Sequence, residues 1–117
     1  PIGLWSLSKV EEFENIDCSG DLIDASAILG TLGFSAFYDI IEDYFTYTQT
    51  FVGITISEEG SWAINDSTLS LIGDGNIHGS KTAKISSDEL SMGIIEQSDS
   101  DSDGLIDSCT KYTYSKN

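Results

Sequence analysis

The spacing of hydrophobic positions changes twice along the chain, which divides it into an opening strand, an insert and a run of short strands. Trp5 and Leu7 alternate with polar neighbours, and Lys9, Glu11 and Phe13 continue that phase. Residues 1–13 therefore predict a strand with a polar far end. Asn15 to Gly20 is turn material. From Asp21 the spacing becomes three and four. Leu22, Ala25, Leu29 and Leu32 form one stripe behind Ser19 as a candidate N-cap, and Phe34, Phe37, Tyr38 and Ile41 resume it after Gly33. The pattern predicts two short helices, or one kinked at Gly33, over residues 21–43, with a β reading of Phe34–Tyr38 as the alternative. After Tyr44 the period is two. Phe45, Tyr47 and Phe51 share a face, and the apolar phase then flips to Val52, Ile54 and Ile56, which predicts a bulge or bend at Gly53. An acidic turn over Ser57–Gly60 leads to Trp62 and Ile64, and Asn65-Asp66-Ser67 turns the chain back into Leu69 and Leu71. Further strands follow around Ala83–Ile85, Leu90–Ile94 and Ser108–Tyr114. Short strands at this spacing imply an antiparallel meander closed as a barrel or stacked as a sandwich.

Length and charge narrow the functional classes. The 117 residues make one domain, residues 1–117. Twenty Asp and Glu face five Lys and no Arg, a formal charge of −15. That field repels phosphate, so nucleic acid is excluded as a natural partner and an anionic membrane surface is disfavoured. A hydrophobic content of 39% argues against disorder. The uncharged runs Ala25–Tyr38 and Tyr44–Ser57 are too short and polar for a membrane span. Oligomeric state is not legible. His78, the one histidine, lies in the Gly-rich turn Gly73–Gly79 and is expected to be exposed, with no second ligand nearby for zinc. Cys18 and Cys109 are neither a CxxC pair nor beside a histidine, which leaves a disulfide or two free thiols.

The sharpest motif is Asp99-Ser100-Asp101-Ser102-Asp103-Gly104-Leu105-Ile106-Asp107, within an acidic loop at residues 98–107. Calcium takes about six to eight hard oxygens. Asp99, Asp101 and Asp103 supply alternate carboxylates, Gly104 permits the reversal, the Leu105 carbonyl follows, and Asp107 completes the set directly or through water. The EF-hand's bidentate Glu is replaced by Thr110, and no helix flanks the loop. It resembles instead the loops of thrombospondin type-3 repeats. The expected cofactor is a structural Ca²⁺. A solvated, idle acidic tip is the plain alternative.

Other residues carry a resemblance over about two thirds of the chain. Gly3-Leu4-Trp5-Ser6-Leu7 resembles the G-x-W opening of lipocalin (calycin) barrels. Gly60-Ser61-Trp62-Ala63-Ile64 with Leu69-Ser70-Leu71, then Ile85 to Met92, then Thr110 to Lys116, are similar in order and spacing to the small lipocalin-like domains of Bacteroidetes envelope proteins. The resemblance implies a mainly β fold: an antiparallel up-and-down barrel of about eight strands, with a short helical insert after strand one. It also implies a cavity for a small apolar ligand, for which Phe45, Tyr47, Phe51, Trp62, Ile64, Leu69 and Met92 are the candidate lining. Lipocalins pack an Arg of the last strand on the G-x-W tryptophan; Lys111 is the nearest substitute here. Trp5 itself is expected to fill core volume. Such a barrel pairs its first and last strands, which makes a Cys18–Cys109 disulfide plausible in geometry. The implied function is a non-catalytic binding module in an extracytoplasmic setting, secreted, periplasmic or envelope-anchored. The alternatives are a calcium-stabilised structural or interaction domain with a filled barrel, and a hydrolase using carboxylates at the barrel mouth.

Overall fold

The computed structural model describes residues 2–13, 15, 17, 18, 20, 22–98 and 108–117. Alternation writes most of it. β3 (Ser35–Ile40) turns Ala36, Tyr38 and Ile40 inward, and β4 (Tyr44–Phe51) does the same with Phe45 and Tyr47. β6 (Thr68–Gly73) contributes Leu69 and Leu71, β7 (Ser80–Ile85) Ala83 and Ile85, and β8 (Ser91–Ser98) Met92 and Ile94. With β1 (Gly3–Phe13), β5 (Ile54–Asn65) and β9 (Ser108–Lys116) these strands pair antiparallel in chain order. β1 also pairs with β9, which closes an eight-stranded barrel and removes its free edges. The three-residue β2 (Leu22–Asp24) adds to the far end of β1, beside the barrel proper.

Three sequence expectations are corrected and one is sharpened. The helix of the insert is confined to α1 (Ser26–Thr31), started by Asp24, whose carboxylate accepts the Ser26 N–H at 3.0 Å. The insert otherwise supplies the short strand β2 and the barrel strand β3. Phe37 and Ile41 consequently face solvent, at 37% and 36% exposure. Of the bulge or bend expected at Gly53 the structure has the bend, a full hairpin turn: Val52 and Gly53 take φ of 51° and 79°, the left-handed pair of a two-residue turn. Ser57–Gly60 is not a turn and runs inside β5, paired with β4. Finally, β1 carries an irregularity between Leu7 and Lys9, so that Val10, and neither Lys9 nor Glu11, is buried.

Cys18 and Cys109 form a disulfide, with Cα atoms 5.2 Å apart and 91 residues of separation. It ties the chain beyond β1 to the start of β9. In the chain-entropy account a loop this long contributes about 4–5 kcal/mol. Among the described residues no helix is long and apolar enough to cross a membrane.

Candidate functional site

One half of the barrel is solid. Trp5, Ile40, Phe45, Leu69, Leu71 and Met92 are buried to 2% exposure or less and fill the interior near the start of β1. Gly60 is required here, because a Cβ would stand 2.5 Å from the Phe45 ring and 2.3 Å from the Ile72 carbonyl. The cation against Trp5 is Lys116, whose Nζ sits 5.6 Å from the ring centroid, opposite Trp5 in the β1–β9 register. Lys111, the substitute expected from sequence, instead flanks Gly93. Trp62 is half-buried against this floor and donates its indole N–H to the Ile41 carbonyl at 2.8 Å, which binds β5 to the β3–β4 turn.

His78 overturns its expected exposure. The β6–β7 loop folds inward and buries the imidazole to 4% exposure, among the rings of Tyr38, Phe45 and Tyr47 at 5.1–5.4 Å. Glu58 anchors the loop by accepting the N–H groups of Ile77 at 3.0 Å and His78 at 2.8 Å. Gly73 and Gly75 leave room for that carboxylate, since a Cβ at either would fall 2.2 or 2.3 Å from it. These amide bonds hold the Glu58 carboxyl below its ordinary pKa. A carbonyl can only accept, so the 2.7 Å contact with Gly79 O places the proton on His78 Nδ1. Nε2 then accepts from the Tyr38 hydroxyl at 2.6 Å. The imidazole is neutral, and burial lowers its pKa.

Above this plug the barrel opens. A cavity of about 190 Å³ is lined by Phe34, Tyr38, Tyr47, Gln49, Lys81, Ile94, Glu96, Tyr112 and Tyr114. The rings of Tyr38 lie 4.9 Å from Tyr47 and 5.0 Å from Tyr114, and Tyr47 donates to Gln49 Oε1 at 2.9 Å. Burial raises the phenol pKa of Tyr38 and Tyr114, and that of Tyr47 to about 12, so the mouth presents neutral hydroxyls. β7 and β8 pair only from Ala83 to Ile85, and beyond that ladder Lys81 Nζ reaches Glu96 Oε1 at 2.5 Å. The ion pair is partly open to solvent, with side-chain exposures of 29% and 39%.

The expected ligand residues are scattered by this arrangement. Tyr47 alone lines the mouth; Phe45, Leu69 and Met92 are floor, and Trp62 seals the floor's edge. Phe51 and Ile64 are 41% and 42% exposed. Tyr38, Lys81, Glu96, Tyr112 and Tyr114 were missed. Their signal was the alternation itself, which puts a lysine, a glutamate and two tyrosines at inward positions of β7, β8 and β9. The calcium candidates Asp99, Asp101, Asp103, Leu105 and Asp107 lie outside the described residues. Among the described residues no cluster of three metal-ligating side chains occurs.

An eight-stranded antiparallel barrel, closed by its first and last strands and floored by a G-x-W tryptophan under a cation, is a lipocalin-like fold. Two solved structures are similar to it. A lipocalin-like protein from Bacteroides uniformis matches over 99% of this chain and 97% of its own, with a TM-score of 0.54 and 17% identity. An uncharacterized protein from Bacteroides eggerthii matches over 99% and 98%, with a TM-score of 0.55 and 14% identity. Likeness at these identities concerns the fold. No family model matches the sequence, and no curated protein matches it.

Proposed function

We propose that the chain is a non-catalytic binding module that seats one small ligand in its tyrosine-lined mouth. The observation that carries this reading is the 190 Å³ cavity above a filled floor. An engineered cavity of about 150 Å³ already accepts benzene, so the size suits a monocyclic molecule and no fatty chain. The lining supports a ligand with a polar edge rather than the wholly apolar one expected from sequence. The Glu58 carboxylate is engaged by backbone N–H groups and that of Glu96, in the cavity lining, by Lys81, which supports binding over acid–base chemistry. The disulfide supports an oxidising, extracytoplasmic setting. The loop of residues 99–107 is proposed to hold a structural Ca²⁺ between β8 and β9, on the strength of its carboxylate spacing.

A second reading, a calcium-stabilised interaction domain, draws on the cavity falling below the roughly 300 Å³ usual for ligand pockets. Native mass spectrometry separates the two. Binding predicts a one-to-one adduct with monocyclic alcohols or amines, lost in Gln49→Trp, which fills the mouth and spares the floor. Absence of any adduct across such a set favours the second reading.

A further inference from the structure

The lining of the mouth also indicates a ligand charge, an inference that rests on the binding reading above. We propose that the mouth takes small organic cations, amines carried on a compact apolar group, with Glu96 as their counter-charge.

Five aromatic rings line the cavity: Phe34, Tyr38, Tyr47, Tyr112 and Tyr114. Aromatic faces attract ammonium groups, and such boxes recognise alkylated amines. The chain itself already places one ammonium there, Lys81 Nζ on Glu96 Oε1. That pair is partly exposed, so solvent weakens it, and Lys81 sits where β7 has left its ladder with β8. An incoming amine can take over Glu96 while Lys81 turns to water. The charge of the whole chain, −15, draws cations toward the opening and repels anions. A carboxylate ligand held by Lys81 would have to enter against that field and beside Glu96.

Calorimetry on the full chain with its disulfide intact tests this, using benzylamine, benzyl alcohol and benzoate as probes of matched size. Benzylamine is expected to bind about tenfold tighter than benzyl alcohol, and benzoate not at all. Lys81→Met frees Glu96 and should tighten benzylamine about tenfold without moving benzyl alcohol. Glu96→Gln should erase the preference for the amine. Should either variant fail to fold, salt decides on the unmutated protein: added NaCl should weaken benzylamine and leave benzyl alcohol unchanged, and equal salt response overturns the proposal. Equal affinity for amine and alcohol overturns the cation assignment and leaves the binding reading standing. Tight benzoate binding lost in Lys81→Met reverses the charge assignment. If no probe binds, both readings fall.

Discussion

At the scale of the residue, His78 is the side chain whose environment departs most from its sequence context. A turn histidine flanked by glycines reads as solvated; the glycines instead let the loop dive under Glu58 and carry the ring into the core. Burial is the main cause of its lowered pKa, and Lys81 adds to it. The Gly79 carbonyl, Glu58 and Glu96 oppose. Tyr38 and Tyr47 face the ring and remain neutral. The folded pKa therefore lies below the unfolded value of about 6.5. The stabilisation is complete above that pH and is lost as pH falls from about 6.5 through the depressed folded value. Urea denaturation across pH should show this loss, and His78→Phe should remove it while sparing the separate carboxylate-driven loss below about pH 4.5. His78→Ala should cost about 2–4 kcal/mol at pH 7, through a cavity and an unpaired Tyr38 hydroxyl.

At the scale of the element, the closing hairpin of β8 and β9 pairs from Ser91↔Ser115 to Ser98↔Ser108, and the disulfide enters it at Cys109. The calcium ion proposed for residues 99–107 would neutralise part of the charge of their four carboxylates and tie the ends of β8 and β9 together. Stability should then rise by about 2.7 kcal/mol when calcium stands at 100 times its Kd. In thermal melts with calcium against EDTA, Asp103→Ala should abolish the rise and Asp74→Ala, in the β6–β7 turn, should retain it. Strands with clean alternation were legible from sequence: Phe45 and Tyr47, Leu69 and Leu71, Met92 and Ile94. β3 was legible only as the alternative reading of Phe34–Tyr38, because Phe34, Phe37, Tyr38 and Ile41 happen to fall at helical spacing. Its pairing with β1 and β4 overrides that local pattern. A break at Gly53 was legible but its form as a two-residue hairpin was not, since a β-branched residue such as Val52 seldom adopts φ near 51°. Ser57–Gly60 resembled a turn because Glu58 and Gly60 serve the loop and Phe45 rather than the strand's own packing.

At the scale of the whole molecule, floor, plug and mouth form a series along the barrel axis. The floor was readable in part, through the G-x-W opening. The mouth was not, because it is assembled from one or two positions on each of β3, β4, β7, β8 and β9, none distinctive alone. The same distribution makes it rigid: every wall of the cavity except Phe34 belongs to a barrel strand. A ligand should therefore be received without rearranging the floor. The most direct measurement is a ¹H–¹³C NMR titration with a monocyclic amine or alcohol, following Ile94 and the tyrosine rings against Leu69, Leu71 and Met92. Saturable shifts at Ile94, Tyr112 and Tyr114, with the floor residues still, are the predicted result. Shifts absent from the mouth, or centred on the floor, would contradict the account.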